Sequence, residues 1–428
     1  MFKNIIGTII TRVFIAVFTL LIVVINARQL GAGNLGTISL IMLAVTIIQL
    51  FNNFVGGGAL VFLTPRVGVY RLIIPAFVWT CLVTILVAAL LLFLGSFSHK
   101  LEIIPAGFFP EVVLLAFIIS MSSMNFMLLI GLEKVKAYNM IGLIQIITLF
   151  LSLMGFVFLF HNKTVTSYIW AVFISYALVF MISLGRILPY VKRVPLTGMK
   201  QLLKDILRFG TYVQFANIFQ QLNYRLSYYI VDFFTGRMAL GILSVGVQVS
   251  EGLWLIPRSI GMVQYSRIAN EKDPQYAKRL TLTLAKITWI VTFVAMIILL
   301  LIPGFLFQWV FGKAFDQIRP VIASMGVGIL TLSISMIFSQ FFSGTNKPYH
   351  NTISSAIGLV FTLGFGLLLI PVWGIIGAGI TASISYTSAT LYQFIVFCRI
   401  SRLKAKDFII RKSEIRLFIR EMKNFTRP

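Results

Sequence analysis

The sequence predicts an all-α integral membrane protein: twelve transmembrane helices in two six-helix pseudo-symmetric bundles around a central cavity. Three observations predict it. Of 428 residues, 59% are hydrophobic and only 11% charged, with mean hydropathy +0.96, whereas soluble domains carry about 25% charged residues. The apolar runs are about 20–25 residues long, which as helix crosses ~30 Å of hydrocarbon; barrel strands alternate over about ten residues. Finally, the runs fall into two sets of six, separated by the longest internal polar stretch, Arg186 to Arg208.

In order, the runs lie at about 5–26, 37–62, 72–94, 111–131, 138–160 and 167–185, then 209–231, 239–263, 282–302, 320–343, 350–371 and 374–398. The first carries Arg12 and lacks a small-residue cleavage site, so it reads as a retained helix and not a signal peptide. The chain divides into an N-terminal six-helix lobe (1–190), a cytoplasmic amphipathic linker (191–208), a C-terminal six-helix lobe (209–398) and a basic cytoplasmic tail (399–428). In the linker Met199, Leu202, Leu203 and Ile206 keep helical spacing opposite Lys200, Lys204 and Arg208. In the tail Ile415, Phe418, Ile419 and Met422 do the same among Arg411, Lys412, Arg416 and Arg420. Both patterns suit helices lying on anionic membrane lipids.

The net charge of +24 follows from topology and not from nucleic-acid binding. With the N-terminus inside, 26 of the 36 Lys and Arg fall in inside segments, six outside and four within spans. That bias in short loops is the positive-inside rule and places both termini in the cytoplasm. Cys81 and Cys398 lie far apart in apolar runs, and the three His and twelve acids show no metal-ligand spacing.

The halves read as copies. A shift of 205 residues brings Gly31, Leu35, Gly36 and Ser39 onto Gly236, Leu240, Gly241 and Ser244, and Gly56 onto Gly261. Gly131-x-x-Lys134 likewise resembles Gly344-x-x-Lys347. Six spans per copy keep both in one orientation, related by an axis along the membrane normal.

The first two helices of each half carry the buried polarity, whereas the third, fifth, ninth and eleventh are nearly bare of strong polar groups at mid-depth. Thr8, Arg12, Thr19 and Asn26 share a face within about 40°, as do Ser39, Thr46 and Asn53, with Gln49 beside them. The seventh run contributes Gln214, Asn217, Gln221 and Arg225. The eighth, Ala239 to Val263, places Ser244, Gln248, Glu251 and Arg258 on one side. A charge at the bilayer centre costs about 2.5–3.5 kcal/mol on insertion scales, so such groups face protein or a water-filled cavity. Arg12, Arg225 and Arg258 face a single mid-membrane acid, Glu251, and guanidinium forks suit phosphate. The cavity should therefore hold an anion, with Arg12, Arg225, Arg258, Asn53, Asn217, Gln221 and Gln248 as substrate-binding residues. For Arg225 and Arg258 the alternative is snorkelling to the headgroups, which is the reading for Lys286. Glu251 reads either as a fixed counter-ion to one of these Arg or as a carboxylate coupling transport to H⁺ or Na⁺. Tyr224, Tyr228 and Trp254 offer stacking faces, and Pro257 and the Gly56-Gly57-Gly58 run are candidate hinges. No catalytic or metal site and no cofactor is expected.

Three segments resemble a known family: Arg28-Gln-Leu-Gly31 with Leu35-Gly36, Trp309-Val-Phe-Gly312-Lys-Ala-Phe315, and the Pro371 to Gly379 stretch. They are similar to those of the multidrug/oligosaccharidyl-lipid/polysaccharide exporter superfamily, specifically the Wzx-type polysaccharide flippases. The second half departs from the pattern in having no equivalent of Arg28. The resemblance implies a non-enzymatic flippase in the bacterial inner (cytoplasmic) membrane. It would move an undecaprenyl-pyrophosphate-linked oligosaccharide repeat unit, of O-antigen or capsule type, to the outer leaflet by alternating access. The expected partners are that lipid-linked oligosaccharide, anionic lipids and other polysaccharide-assembly proteins, with the chain itself a monomer. The alternative is a cation-coupled multidrug or small-molecule exporter of the same superfamily. An intramembrane sugar-transferring enzyme would want catalytic acids in a sizeable external loop, and the longest, Gly95 to Pro110, offers only Glu102.

Overall fold

The computed structural model describes residues 2–96, 103–192, 198–270, 273–345 and 347–403. Among them every regular element is a helix: α1 (Phe2–Gly56), α2 (Gly58–Val67), α3 (Val69–Ser96), α4 (Phe109–Gly131), α5 (Val135–Met154), α6 (Val165–Ile187), α7 (Met199–Thr235), α8 (Arg237–Glu251), α9 (Leu255–Asn270), α10 (Pro274–Leu301), α11 (Gly304–Phe311), α12 (Ile318–Gly344) and α13 (Tyr349–Ser401). Nine segments of the described residues are long and apolar enough to cross a membrane, so the chain is a multi-pass membrane protein.

Two of those nine are far longer than a bilayer requires. α1 has 55 residues and α13 has 53, about 80 Å each at 1.5 Å per residue, against ~30 Å of hydrocarbon. Each is interrupted at one residue, α1 at Gly31 (φ 80°, ψ 170°) and α13 at Gly374 (φ 54°, ψ −131°). The sequence expects a loop from 27 to 36; the structure replaces it with a single glycine in a backbone region that side-chain-bearing residues avoid. The expected second span is in turn broken at Gly57, between α1 and α2, and the eighth by a 3₁₀ turn at Gly252–Trp254. Pro257, three residues past that turn, lacks the N–H that would continue the ladder through it.

The linker is the second correction. In place of a separate surface helix at 191–208, α7 runs unbroken from Met199 to Thr235. Ile206 is buried with Val55, Leu60, Leu72 and Leu128 of the first half, and Leu202 packs against them. The apolar stripe thus lies on protein. Residues 193–197 and the tail stripe at 415–422 lie outside the described residues.

Matched positions in the two halves adopt matched conformations. Gly236 (φ 86°, ψ 175°) repeats the backbone of Gly31. At the end of α4 Leu132 N–H donates to the Leu128 carbonyl and Lys134 N–H to Leu129. At the end of α12 Thr345 N–H donates to Phe341 and Lys347 N–H to Phe342, the same turn 213 residues on. A Cβ on Gly56 would strike Met124 of α4, and one on Gly261 would strike Gln340 of α12.

One close approach between the halves is also reciprocal. A Cβ on Gly36 would sit 2.0 Å from the Arg237 carbonyl oxygen, and one on Gly241 would sit 1.9 Å from that of Ala32. Since 36 corresponds to 241 and 32 to 237, each strand of the contact is the image of the other, the signature of a two-fold arrangement. Around this crossing one apolar core joins Val23, Leu35 and Leu40 of α1 to Val231, Leu240, Ile322 and Tyr386 of the second half. A second core ties α1 to α3, α4, α5 and α6.

Candidate functional site

Gly236 is a fixed point from which depth can be counted. Arg225 lies about 16 Å down α7 from it, Glu251 about 22 Å down α8, and Arg258 about 33 Å down, on α9. Counted along the helices, Glu251 thus lies about 6 Å and Arg258 about 17 Å farther from that turn than Arg225.

The two inner charges are paired. The Arg225 Nη2 donates to Glu251 Oε2 at 3.0 Å, and Nη1 donates to the Tyr228 hydroxyl at 3.0 Å. The side chains are 26% and 19% exposed, so the pair is largely withdrawn from solvent. Arg225 also stacks on the Tyr228 ring, 5.3 Å to its centroid. Glu251 thus holds a place as counter-ion to Arg225, and not to Arg258 on α9. Its second oxygen, Oε1, is buried without a hydrogen-bond partner.

Arg258 is exposed, and its guanidinium lies over the Trp254 ring at 5.8 Å. That direction is the one helical side chains favour, back toward the N-terminus. Among the described residues no carboxylate lies within ion-pair reach of it. Trp254 heads an aromatic cluster: Tyr224 at 5.4 Å, Tyr386 at 6.1 Å from it, and Tyr224 and Tyr386 edge-to-face at 5.5 Å. Trp254 is buried, and its Nε1 has no acceptor. An unmatched guanidinium, an unmatched indole N–H and aromatic faces stand together.

The other expected residues scatter. Asn217 is exposed and donates to Gln214 Oε1 at 3.2 Å, while Gln214 is buried with its Nε2 unmatched. Gln221 and Asn53 are half-buried, Gln248 is exposed, and none of these three makes a side-chain hydrogen bond among those described. Ser244 leaves the stripe: it is buried at the α1–α8 crossing and donates to the Gly241 carbonyl. The side chain of Arg12 lies outside the described residues. Lys286 does not snorkel; it is buried in the second half, 7% exposed.

Several polar groups were invisible to stripe counting. Asn52, next to the predicted Asn53, is the buried one and donates to Thr84 and Ser120 at 3.0 and 2.9 Å. Asn223 accepts from the hydroxyls of Thr362 and Ser385, each at 2.6 Å. It lines a closed cavity of about 10 Å³, room for about one water, together with Tyr224, Thr381 and Tyr386. That void lies among α7, α8, α12 and α13, inside the second half and not between the halves. Arg28 reaches across instead: its Nε donates to the Val310 carbonyl at 2.8 Å, Nη2 donates to the Trp309 carbonyl, and the guanidinium stacks on Trp309. No group of three or more metal-ligating side chains forms among the described residues.

Solved membrane-transporter structures superpose on this arrangement of helices over nearly the whole chain. Several of those solved structures are named as transporters of the multidrug/oligosaccharidyl-lipid/polysaccharide (MOP) superfamily. The lipid II flippase MurJ in its inward closed conformation superposes with TM-score 0.78 at 16% identity, covering 99% of this chain and 94% of that one. An inward-facing multidrug resistance MATE family transporter gives TM-score 0.72 at 14% identity, covering 92% and 98%. A superfamily transporter from Pyrococcus furiosus, described as having a binding pocket of reversed polarity, gives 0.61 at 13% identity, covering 94% and 95%. By sequence the chain matches an uncharacterised membrane protein of Methanocaldococcus jannaschii, 22% identical over 307 residues that are 70% of this chain and 61% of that protein. The chain thus spans about three fifths of the length of that curated relative. No family model matches the sequence.

Proposed function

We propose that this chain is a flippase of twelve spans in two six-helix lobes, 1–190 and 209–398, that carries an anionic lipid-linked oligosaccharide between leaflets by alternating access. Bending α1 at Gly31 and α13 at Gly374 turns two of the nine candidate segments into four crossings. α7, whose polar N-terminal turns lower its mean hydropathy, supplies the twelfth. The matched turns and the reciprocal Gly36–Gly241 contact support the pseudo-symmetry. With the basic loops inside, the Gly31/Gly236 end faces outward, both termini are cytoplasmic, and Arg258 guards the inner mouth.

The observation that carries the reading is Arg258, a guanidinium at the membrane margin held by an indole face and unmatched by any described carboxylate. It is a fork for phosphate, and the buried Trp254 beneath it, backed by Tyr224, fixes where that fork stands. Arg225 lies about 17 Å deeper as a second, conditional site: its charge is balanced by Glu251 until an anion draws it away. Arg12 is the third proposed contact, from the first lobe, with Asn53, Asn217, Gln221 and Gln248 completing the wall. An undecaprenyl-pyrophosphate-linked repeat unit fits this chemistry, and the fold shared with a lipid II flippase supports a lipid-linked cargo. The chain then resides in the bacterial inner membrane as a monomer. Glu251 is the coupling candidate, releasing Arg225 when it takes up H⁺ or Na⁺. A cationic-drug exporter would need a free acid, and α1 carries none while that of α8 is committed to Arg225.

The test is accumulation of the glycan outside cells that depend on this chain. Arg258→Ala should abolish it at normal membrane abundance, and wild-type glycan in that variant would refute the proposal.

A further inference from the structure

One charged cavity lies away from the translocation route. Where α4 gives way to α5, Glu133 takes a positive φ of 59° and the chain turns back through Lys134. The turn opens a cavity of about 460 Å³ lined by Glu133, Lys134, Lys136, Ala137, Met140 and Arg186. Three cations face one acid. Lys134 Nζ lies 5.3 Å from the centroid of Tyr190, just past the end of α6, and neither Lys136 nor Arg186 has an ion-pair partner among the described residues. The flank is apolar and open: Leu188 is 57% exposed, Met140 42% and Tyr190 40%. Three exposed cations gathered at the ends of α4, α5 and α6, with bare apolar surface beside them, match a molecule with an anionic head and a hydrocarbon body. A free anion would have no use for the flank, and an annular neutral lipid none for the cations.

We propose that this groove binds the phosphate headgroup of an anionic phospholipid from the leaflet that it faces, with acyl chains running along Met140 and Leu188. The ligand is distinct from the transported cargo. Basic pockets between helix ends on the cytoplasmic side are a recurring solution for such headgroups. The place also has a consequence. Leu188–Tyr190 begins the connection to α7, so a lipid held by Lys134, Arg186 and Tyr190 pins the root of the only covalent link between the two halves.

The test uses the full chain in phosphatidylcholine vesicles doped with a photoreactive phosphatidylglycerol, and maps the labelled peptides by mass spectrometry. Labelling is expected to concentrate on 133–140 and 186–190, about tenfold above that by photoreactive phosphatidylcholine at equal content. Lys134→Gln, Lys136→Gln and Arg186→Gln should each lower it about fivefold, the weight of one basic residue at an anionic surface, with labelling elsewhere unchanged. Equal labelling by the two lipids overturns the proposal, and so does displacement of the label by millimolar inorganic phosphate, which would mark a soluble-anion site. Should a variant fail to accumulate, the wild-type ratio between the two lipids decides alone.

Discussion

Replacing Gly36 or Gly241 by alanine tests the crossing of the halves quantitatively. The added methyl would lie 2.0 Å from the Arg237 carbonyl oxygen in one case and 1.9 Å from that of Ala32 in the other, where ordinary contact begins at 3.4 Å. Both obstacles are backbone, so no rotamer relieves them and α1 and α8 must part by roughly 1.5 Å. Overpacking of this kind costs about 1–3 kcal/mol. Because the contact is reciprocal, the two single variants should lose the same amount. Because parting the helices once accommodates both methyls, the double variant should lose little more than either single one, a coupling of about 1–3 kcal/mol. The measurement is equilibrium unfolding of the purified chain in mixed micelles, as a double-mutant cycle. Additive losses would mean that the two methyls are accommodated independently, and losses under about 0.5 kcal/mol would mean that the helices do not touch there. Either result refutes the reciprocal crossing.

Arg28→Ala should release α11, whose last carbonyls Arg28 satisfies from α1; faster hydrogen exchange of amides in 304–315 in the variant, largely rescued in Arg28→Lys only if one donor suffices, checks this. Asn223→Ala removes the shared acceptor of the Thr362 and Ser385 hydroxyls and should destabilise the chain by about 1–3 kcal/mol, read as a lower unfolding midpoint. Glu251→Gln leaves Arg225 without its counter-charge, so transport should lose its ion-gradient dependence while anion binding at equilibrium persists or tightens; unchanged gradient dependence would rule out coupling at this carboxylate.

What the sequence disclosed about the fold was carried by periodicity and by glycine. The all-helical membrane class was legible from the apolar runs, and the match of Gly31 with Gly236 because a bend of φ near 80° admits little else but glycine. The single-residue nature of that bend was not legible, because polar residues such as Arg28, Gln29 and Asn34 continue a helix as readily as they form a loop. The linker stripe was read correctly as amphipathic and assigned to the wrong surface: periodicity shows that Leu202 and Ile206 are covered, not by what. At the site, spacing brought Glu251 and the arginines to one face but left open which arginine pairs with it. The partner across the helix pair, Arg225, was a matter of how α7 packs on α8. Tyr386, about 130 residues from Trp254 in the chain, gave no local signal, and Asn52 was passed over for Asn53 because a stripe one position wide cannot distinguish lobe interior from cavity wall. Lys286 was assigned to the headgroups by its distance from a span end, and the second half buries it instead.

The central claim is that a cation unmatched within the protein receives an anionic lipid head at the inner mouth. Its most direct measurement is translocation of a fluorescent undecaprenyl-pyrophosphate-linked sugar by the full chain in vesicles, with Arg258→Ala and Arg258→Lys beside wild type. A charge-assisted contact of about 1.5–3 kcal/mol predicts that Arg258→Ala binds the lipid about 10- to 100-fold more weakly and flips it correspondingly slowly at limiting concentration, with Arg258→Lys between. Equal binding and equal flipping in all three proteins would contradict it.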